Sequence, residues 1–170
     1  MTREQLEHIL RAGGAISECS DLVVIGSQAI LGAFPHAPDE LLTSMEADLF
    51  PLNAPGRADL IDGTIGELSP FHETFGYYAH GVDVATATLP GQWRNRLVKV
   101  ANDNTGGVAG WCLSPVDVAV SKLLAGREKD YRFVQALLRH GLVERAALAA
   151  MAAELPPNQA SRLQAGLSQL

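Results

Sequence analysis

Thr43-Ser44-Met45-Glu46-Ala47-Asp48-Leu49-Phe50-Pro51 sets two carboxylates one residue apart inside a stretch that otherwise suits a β-strand. Strand side chains alternate faces and rise about 3.3 Å per residue, so Glu46 and Asp48 project from one face with Cα atoms roughly 6 to 7 Å apart. Met45, Ala47 and Leu49 take the other face. This spacing lets two carboxylates converge on one hard divalent cation; Mg²⁺ takes one or two protein carboxylates and completes its shell with water and phosphate oxygens. The competing reading is a half-exposed strand whose acids face water.

Upstream, residues 22–25 (Leu-Val-Val-Ile) form a short apolar, β-branched run, as expected of a strand buried on both faces. Gly26-Ser27 follows, and residues 28–34 read as a short helix capped by Ser27 and stopped by Pro35. A glycine ahead of a helix start lets a phosphate approach unpaired backbone N–H groups, although a plain capped turn has the same sequence. Further back, Leu6, Ile9 and Leu10 recur at helical spacing, which predicts a helix over 3–12 stopped by Gly13-Gly14.

Downstream, Ala58, Ile61, Ile65 and Leu68 predict a helix over 57–68, and residues 69–76 read as a loop with a short helical turn. Within that loop, His72 reads as a surface residue, or as a ligand or a base. Residues 77–80 and 82–89 read as strands about a bend or hairpin turn at Gly81. Asp83 is the acid of interest there, at the turn or facing a site, because aspartate is disfavoured within strands. A turn of helix over 92–97 leads to a strand at 97–100, and the Asn, Asp and Gly of 102–107 predict a hairpin into a strand over 108–113.

Past Leu113 the strand pattern ends. Ser114-Pro115 is a helix start with serine as cap, and Asp117 adds a negative charge to the first turn. Helices are expected over 115–125, 128–140, 143–154 and 157–168, with breaks at Gly126, Gly141 and Pro156-Pro157. The expected organisation is an α/β core over 1–113 and a C-terminal helical segment over 114–170 packed on it.

With 170 residues, 47% of them hydrophobic, the chain can bury one substantial core. The apolar runs at 22–25 and 146–153 fall short of the roughly 18 residues a spanning helix needs. The amino terminus carries charges of both signs and lacks the order of a secretory signal, so a cytoplasmic address is expected. Cys19 and Cys112 have no disulfide or zinc spacing and read as ordinary small buried residues. A net charge of -6 argues against a protein that coats nucleic acid. It leaves room for local basic clusters at Arg127, Lys129 and Arg132 and at Arg94, Arg96 and Lys99, each of which also reads as a solvated helix face.

Taken in order, a buried strand, Gly26-Ser27, a helix, a strand bearing Glu46 and Asp48, a later run bearing Asp83 and a helical C-terminus resemble the nucleotidyltransferase fold of the DNA polymerase β-like superfamily. In that superfamily a Gly-Ser pair precedes an acid-x-acid strand, and a third acid follows; here the pair is Glu-Ala-Asp in place of the commoner Asp-x-Asp. Residues 113–130, with Leu113-x-Pro115-x-Asp117 followed by Lys122, Arg127 and Asp130, are similar to the helical segment of abortive-infection-type nucleotidyltransferases, many of them toxins of toxin-antitoxin pairs. The resemblance covers residues 20–142.

It implies an α+β fold, a small mixed sheet flanked by helices and followed by a C-terminal helical segment. It implies a metal-dependent enzyme that moves a nucleoside monophosphate from a nucleoside triphosphate to an acceptor hydroxyl, on tRNA or protein, with Mg²⁺ or Mn²⁺ as cofactor and a cognate antitoxin as a partner. Glu46, Asp48 and Asp83 would be the metal ligands; Gly26, Ser27 and Arg127 would bind nucleotide, with Lys129 as an alternative to Arg127. Lys122 would meet the triphosphate, and Asp130 would orient a basic neighbour. Such chemistry needs placement and charge neutralisation more than covalent help from the protein. The other reading is a nucleotide-binding or protein-interaction module on the same fold, with weakened catalysis.

Overall fold

The apolar runs assemble into one mixed five-stranded sheet with strand order β3-β2-β1-β5-β4. In the computed structural model, which describes residues 1–170, β1 (Asp21–Ile25) lies at the centre. It pairs antiparallel with the acidic strand β2 (Glu46–Pro51) and parallel with β5 (Ala109–Cys112). β3 (Tyr78–Gly81) adds parallel to the outer side of β2, and β4 (Val98–Val100) closes the other edge antiparallel to β5. Leu22, Val23 and Val24 are fully buried, as their β-branched and apolar character at a central strand requires.

α1 (Arg3–Ser17) starts in a reciprocal capping box between Thr2 and Gln5, which satisfies two otherwise unpaired helix N–H groups. It runs through Gly13-Gly14 rather than stopping there. The glycines serve packing: a Cβ on Gly13 would meet Leu22, Ile61 and Leu49, and one on Gly14 would sit 2.4 Å from a Val108 methyl. α1 and α2 (Ala58–Ile65) therefore cover the sheet face that carries Ala47 and Leu49. Every residue range after β5 is helical or a helix connection: α4 (Pro115–Ala125), α5 (Glu128–Arg139), α6 (Arg145–Ala150) with a 3₁₀ turn after it, and α7 (Pro157–Leu167). The result is the sheet flanked by helices, with further helices at the C-terminus, that the resemblance implies. No helix is long and apolar enough to cross a membrane.

Three further local expectations are corrected, at residues 28–34, at Gly81 and at residues 82–89. Residues 28–34 do not form a capped α-helix; Ser27–Gly32 is a 3₁₀ turn, and Gly26 occupies the cap position because its φ of 71° and ψ of -166° suit only glycine. Ser27 thus lies inside the first turn and makes no side-chain cap bond. The short helical turn expected within 69–76 is present as a helix, α3 (Pro70–Phe75), capped by Ser69, and His72 Nδ1 accepts the Leu68 N–H at 3.1 Å. Gly81 makes no hairpin. A Cβ there would stand 2.0 Å from the Ala58 carbonyl oxygen, so glycine is required by the close approach of α2.

Residues 82–89 form no strand. Asp83 takes the Ala85 N–H at 2.7 Å and caps a 3₁₀ turn over Val84–Thr86, a local side-chain bond that competes with ladder pairing. The two cysteines are free; Cys112 is buried and Cys19 is half-buried.

Candidate active site

Register builds the acidic wall. Glu46 stands opposite Tyr78 and Asp48 opposite His80 across the parallel pair, so alternation sets all four side chains on one sheet face. Tyr78 Oη donates to Glu46 Oε2 at 3.1 Å, and His80 Nδ1 lies 3.1 Å from Glu46 Oε1 and 3.2 Å from Asp48 Oδ1. One ligand atom from each of Glu46, Asp48 and His80 lies within 4.8 Å of the others. Behind Asp48 is the backbone of Gly26, where a Cβ would fall 2.1 Å from Asp48 Oδ2.

The basic wall comes from α4 and the start of α5. Asp130 is fully buried and gathers both cations: Arg127 Nε donates to it at 2.6 Å and Lys122 Nζ at 3.2 Å. Lys122 Nζ also lies 4.6 Å from the Phe133 ring centroid, an apolar and cation–π contact that fixes the ammonium. Two adjoining hollows of about 300 and 520 Å³ share Gly26, Asp48, Thr86, Lys122 and Arg127. Ser27, Glu46, His80 and Lys129 also line the larger one. Such volumes suit a small-molecule ligand.

The charges are poised against one another. Burial, and then the neighbouring Glu46, push the Asp48 carboxyl up to about 7. Burial also pushes Glu46 up, but hydrogen bonds from Asp48, Tyr78 and His80 outweigh it and hold Glu46 below its ordinary value. For Lys122, burial lowers the ammonium below its usual range although Asp130 opposes the shift. For Asp130, burial raises and the Arg127 and Lys122 contacts lower, with the contacts prevailing.

The structure brings together Gly26, Ser27, Glu46, Asp48, Lys122 and Arg127 around one cleft and places Asp130 behind the two cations. It does not bring Asp83 to the acidic cluster; that exposed carboxylate is engaged at its own 3₁₀ turn. Sequence reasoning missed His80, Tyr78 and Thr86. The signal for the first two was the alternation Tyr78-Ala79-His80, which repeats the Glu46-Ala47-Asp48 period on a strand that could pair with it.

The donors fit a divalent cation on chemical grounds. Burial first and the neighbouring Glu46 second disfavour ionisation of Asp48, and a cation between the two carboxylates would offset both. An acidic wall facing a basic one matches a polyphosphate that arrives with its cation.

Gly26→Ala tests how tightly this floor is built. The substitution forces a glycine-only backbone region, at about 1 to 3 kcal/mol, and drives a methyl into Asp48. Urea unfolding should show that loss, and calorimetry should show weakened cation binding in the same variant.

A family model described as a nucleotidyltransferase of unknown function (DUF6036) matches residues 4–155. Neither the curated proteins nor the solved structures gave a match.

Proposed function

The chain belongs to that nucleotidyltransferase family, and from this premise we propose that it transfers a nucleoside monophosphate from a nucleoside triphosphate to an acceptor hydroxyl in a cation-dependent reaction. The observation that carries the reading is the cleft itself: Glu46 and Asp48 on one wall, Lys122 and Arg127 on the other, Gly26 and Ser27 beside them. Glu46 and Asp48 would hold Mg²⁺ or Mn²⁺, which when bound supplies positive charge to the phosphate oxygens.

The remaining work falls to this chain's own groups. The Gly26 backbone, free of a Cβ, allows close approach of the triphosphate, and the Ser27 hydroxyl is within the same hollow. Lys122 offsets charge on the leaving pyrophosphate as a point charge, and Arg127 extends that cationic surface toward solvent. Asp130 keeps both cations in place from a fully buried position; its role is positioning. The acceptor hydroxyl oxygen forms a bond to the α-phosphorus and gives up its proton to solvent as the bond to the bridging oxygen breaks, releasing pyrophosphate.

The ion-paired Lys122-to-Asp130 segment supports the finer likeness to abortive-infection-type enzymes. Under that likeness the protein acts in the cytoplasm as the toxin of a toxin-antitoxin pair, with tRNA or protein as acceptor. One observation favours a second reading, a nucleotide-binding or interaction module with weakened catalysis: Asp83 caps its own 3₁₀ turn and is not part of the Glu46, Asp48 and His80 cluster. Incubation with labelled nucleoside triphosphates, Mg²⁺ or Mn²⁺ and either total tRNA or cell protein separates the two. Chelator-sensitive label transfer is the expected result; nucleotide binding by calorimetry without any transfer would favour the module.

A further inference from the structure

We propose that His80 is itself a cation ligand, making the centre a two-carboxylate, one-imidazole site that prefers transition-metal ions such as Mn²⁺ or Co²⁺ over Mg²⁺. This inference rests on the cation-dependent reading of the same cleft. It changes the composition of the centre, because the third donor is then a nitrogen from β3 and not the carboxylate of Asp83.

Three features carry it. First, His80 is positioned by sheet register, opposite Asp48, and not by a loose loop. The next residue, Gly81, is wedged against the Ala58 carbonyl of α2, so the strand end that presents the imidazole has little room to shift. Second, the Nδ1 atom approaches one oxygen of each carboxylate, at 3.1 and 3.2 Å, and the three donor atoms lie within 4.8 Å of one another. Third, Tyr78 orients Glu46 from outside through its hydroxyl at 3.1 Å, the kind of outer hydrogen bond that fixes a ligating carboxylate.

Donor chemistry sets the preference. Mg²⁺ favours oxygen donors and retained water, whereas imidazole binds first-row transition ions more strongly, with affinity rising from Mn²⁺ to Co²⁺. Half of the His80 side chain is exposed, which leaves the centre open for an ion and its bound phosphate to enter. The competing role for His80 is a charge partner that neutralises two crowded acids without touching a cation.

The two roles give opposite results. Chelator-stripped full-length protein would be titrated with MnCl₂, CoCl₂ and MgCl₂ in a calorimeter, as wild type, His80→Ala and His80→Asp, with circular dichroism to confirm folding. Pulsed electron paramagnetic resonance on the Mn²⁺-loaded samples would look for nitrogen coupling. For a ligand, His80→Ala weakens Mn²⁺ and Co²⁺ by at least the roughly 10- to 100-fold that loss of an outer hydrogen-bond partner costs, changes Mg²⁺ much less and erases the nitrogen signal. His80→Asp keeps cation binding, lacks the nitrogen signal and narrows the gap between Mn²⁺ and Mg²⁺. Undiminished Mn²⁺ binding by His80→Ala, with no nitrogen signal in wild type, overturns the proposal and leaves the Glu46 and Asp48 centre standing. Failure of wild type to bind any of the three ions overturns both.

Discussion

Asp48→Ala is expected to reduce label transfer by about a thousandfold or more, equivalent to roughly 4 kcal/mol of transition-state stabilisation, while raising the melting temperature of the cation-free protein. The activity loss follows from position. Asp48 lines both hollows of the cleft, shares a face with Glu46 and touches His80, so its removal takes away half of the acidic wall. The stability gain follows from the cost of keeping that wall without a cation. Its carboxyl is pushed up to about 7, first by burial and then by Glu46. The folded protein therefore retains a proton that the unfolded chain releases near the ordinary aspartate value, and stability falls as pH rises through that window. At pH 8, above the folded value, alanine removes the full penalty. Thermal unfolding in chelator at pH 8, beside the transfer assay, checks both halves. A variant that loses activity and also melts lower would assign Asp48 to structure.

Such opposed effects mark a site that stability alone would not select, and they explain which parts of this chain its sequence discloses. The sheet was legible at β1 and β2 because a β-branched run and an alternating strand have only a few ways to bury themselves. The C-terminal helices were legible because Ser114-Pro115, Gly126 and Gly141 punctuate them. What could not be read was the meaning of glycines whose neighbours lie far along the chain. Gly13, Gly14 and Gly81 look like stops and turns locally, yet each marks a close approach to Leu22, Val108 or Ala58. In the cleft, Glu46 and Asp48 could be named because acids within a strand break the local pattern, whereas Lys122 could be named only through the resemblance of its segment to known nucleotidyltransferases. His80 broke no pattern; only the β2–β3 pairing gives it a role. Asp83 shows the converse, since an acid in a β-like run was explained by a bond to the N–H of Ala85, two residues on.

Asp117 belongs to the same class of residues whose partner is invisible in sequence, and it leads to the largest stability effect expected here. In the sequence it is a first-turn helix charge; in the fold it is fully buried. Its oxygens accept from Ser114 Oγ at 2.6 Å and from Arg96 Nη2 at 2.7 Å and Nε at 3.0 Å. Arg96 turns its other edge to Glu154, at 2.8 Å from Nη1, and so ties the turn before β4 to the start of α4 and the 3₁₀ turn after α6. Burying charges gains little net energy against an apolar core, but removing one partner leaves the other stranded, which costs about 3 to 5 kcal/mol. Arg96→Ala should accordingly lower the melting temperature by roughly 6 to 20 °C for a chain of this size. Arg96→Lys should lie between, because an ammonium keeps the charge but cannot span Asp117 and Glu154 with a planar fork. Adding Asp117→Asn to Arg96→Ala should recover part of the loss, since the stranded charge disappears. Urea unfolding of the single and double variants checks the series. A cost below about 1 kcal/mol for Arg96→Ala, with no recovery in the double variant, would mean that the Arg96–Asp117 pair does not hold these elements together. The same helix presents Lys122 to the cleft one turn and a half further on. Loosening its first turn should therefore weaken nucleotide binding even in samples that remain folded, a coupling between anchor and site that calorimetry on Arg96→Lys can measure.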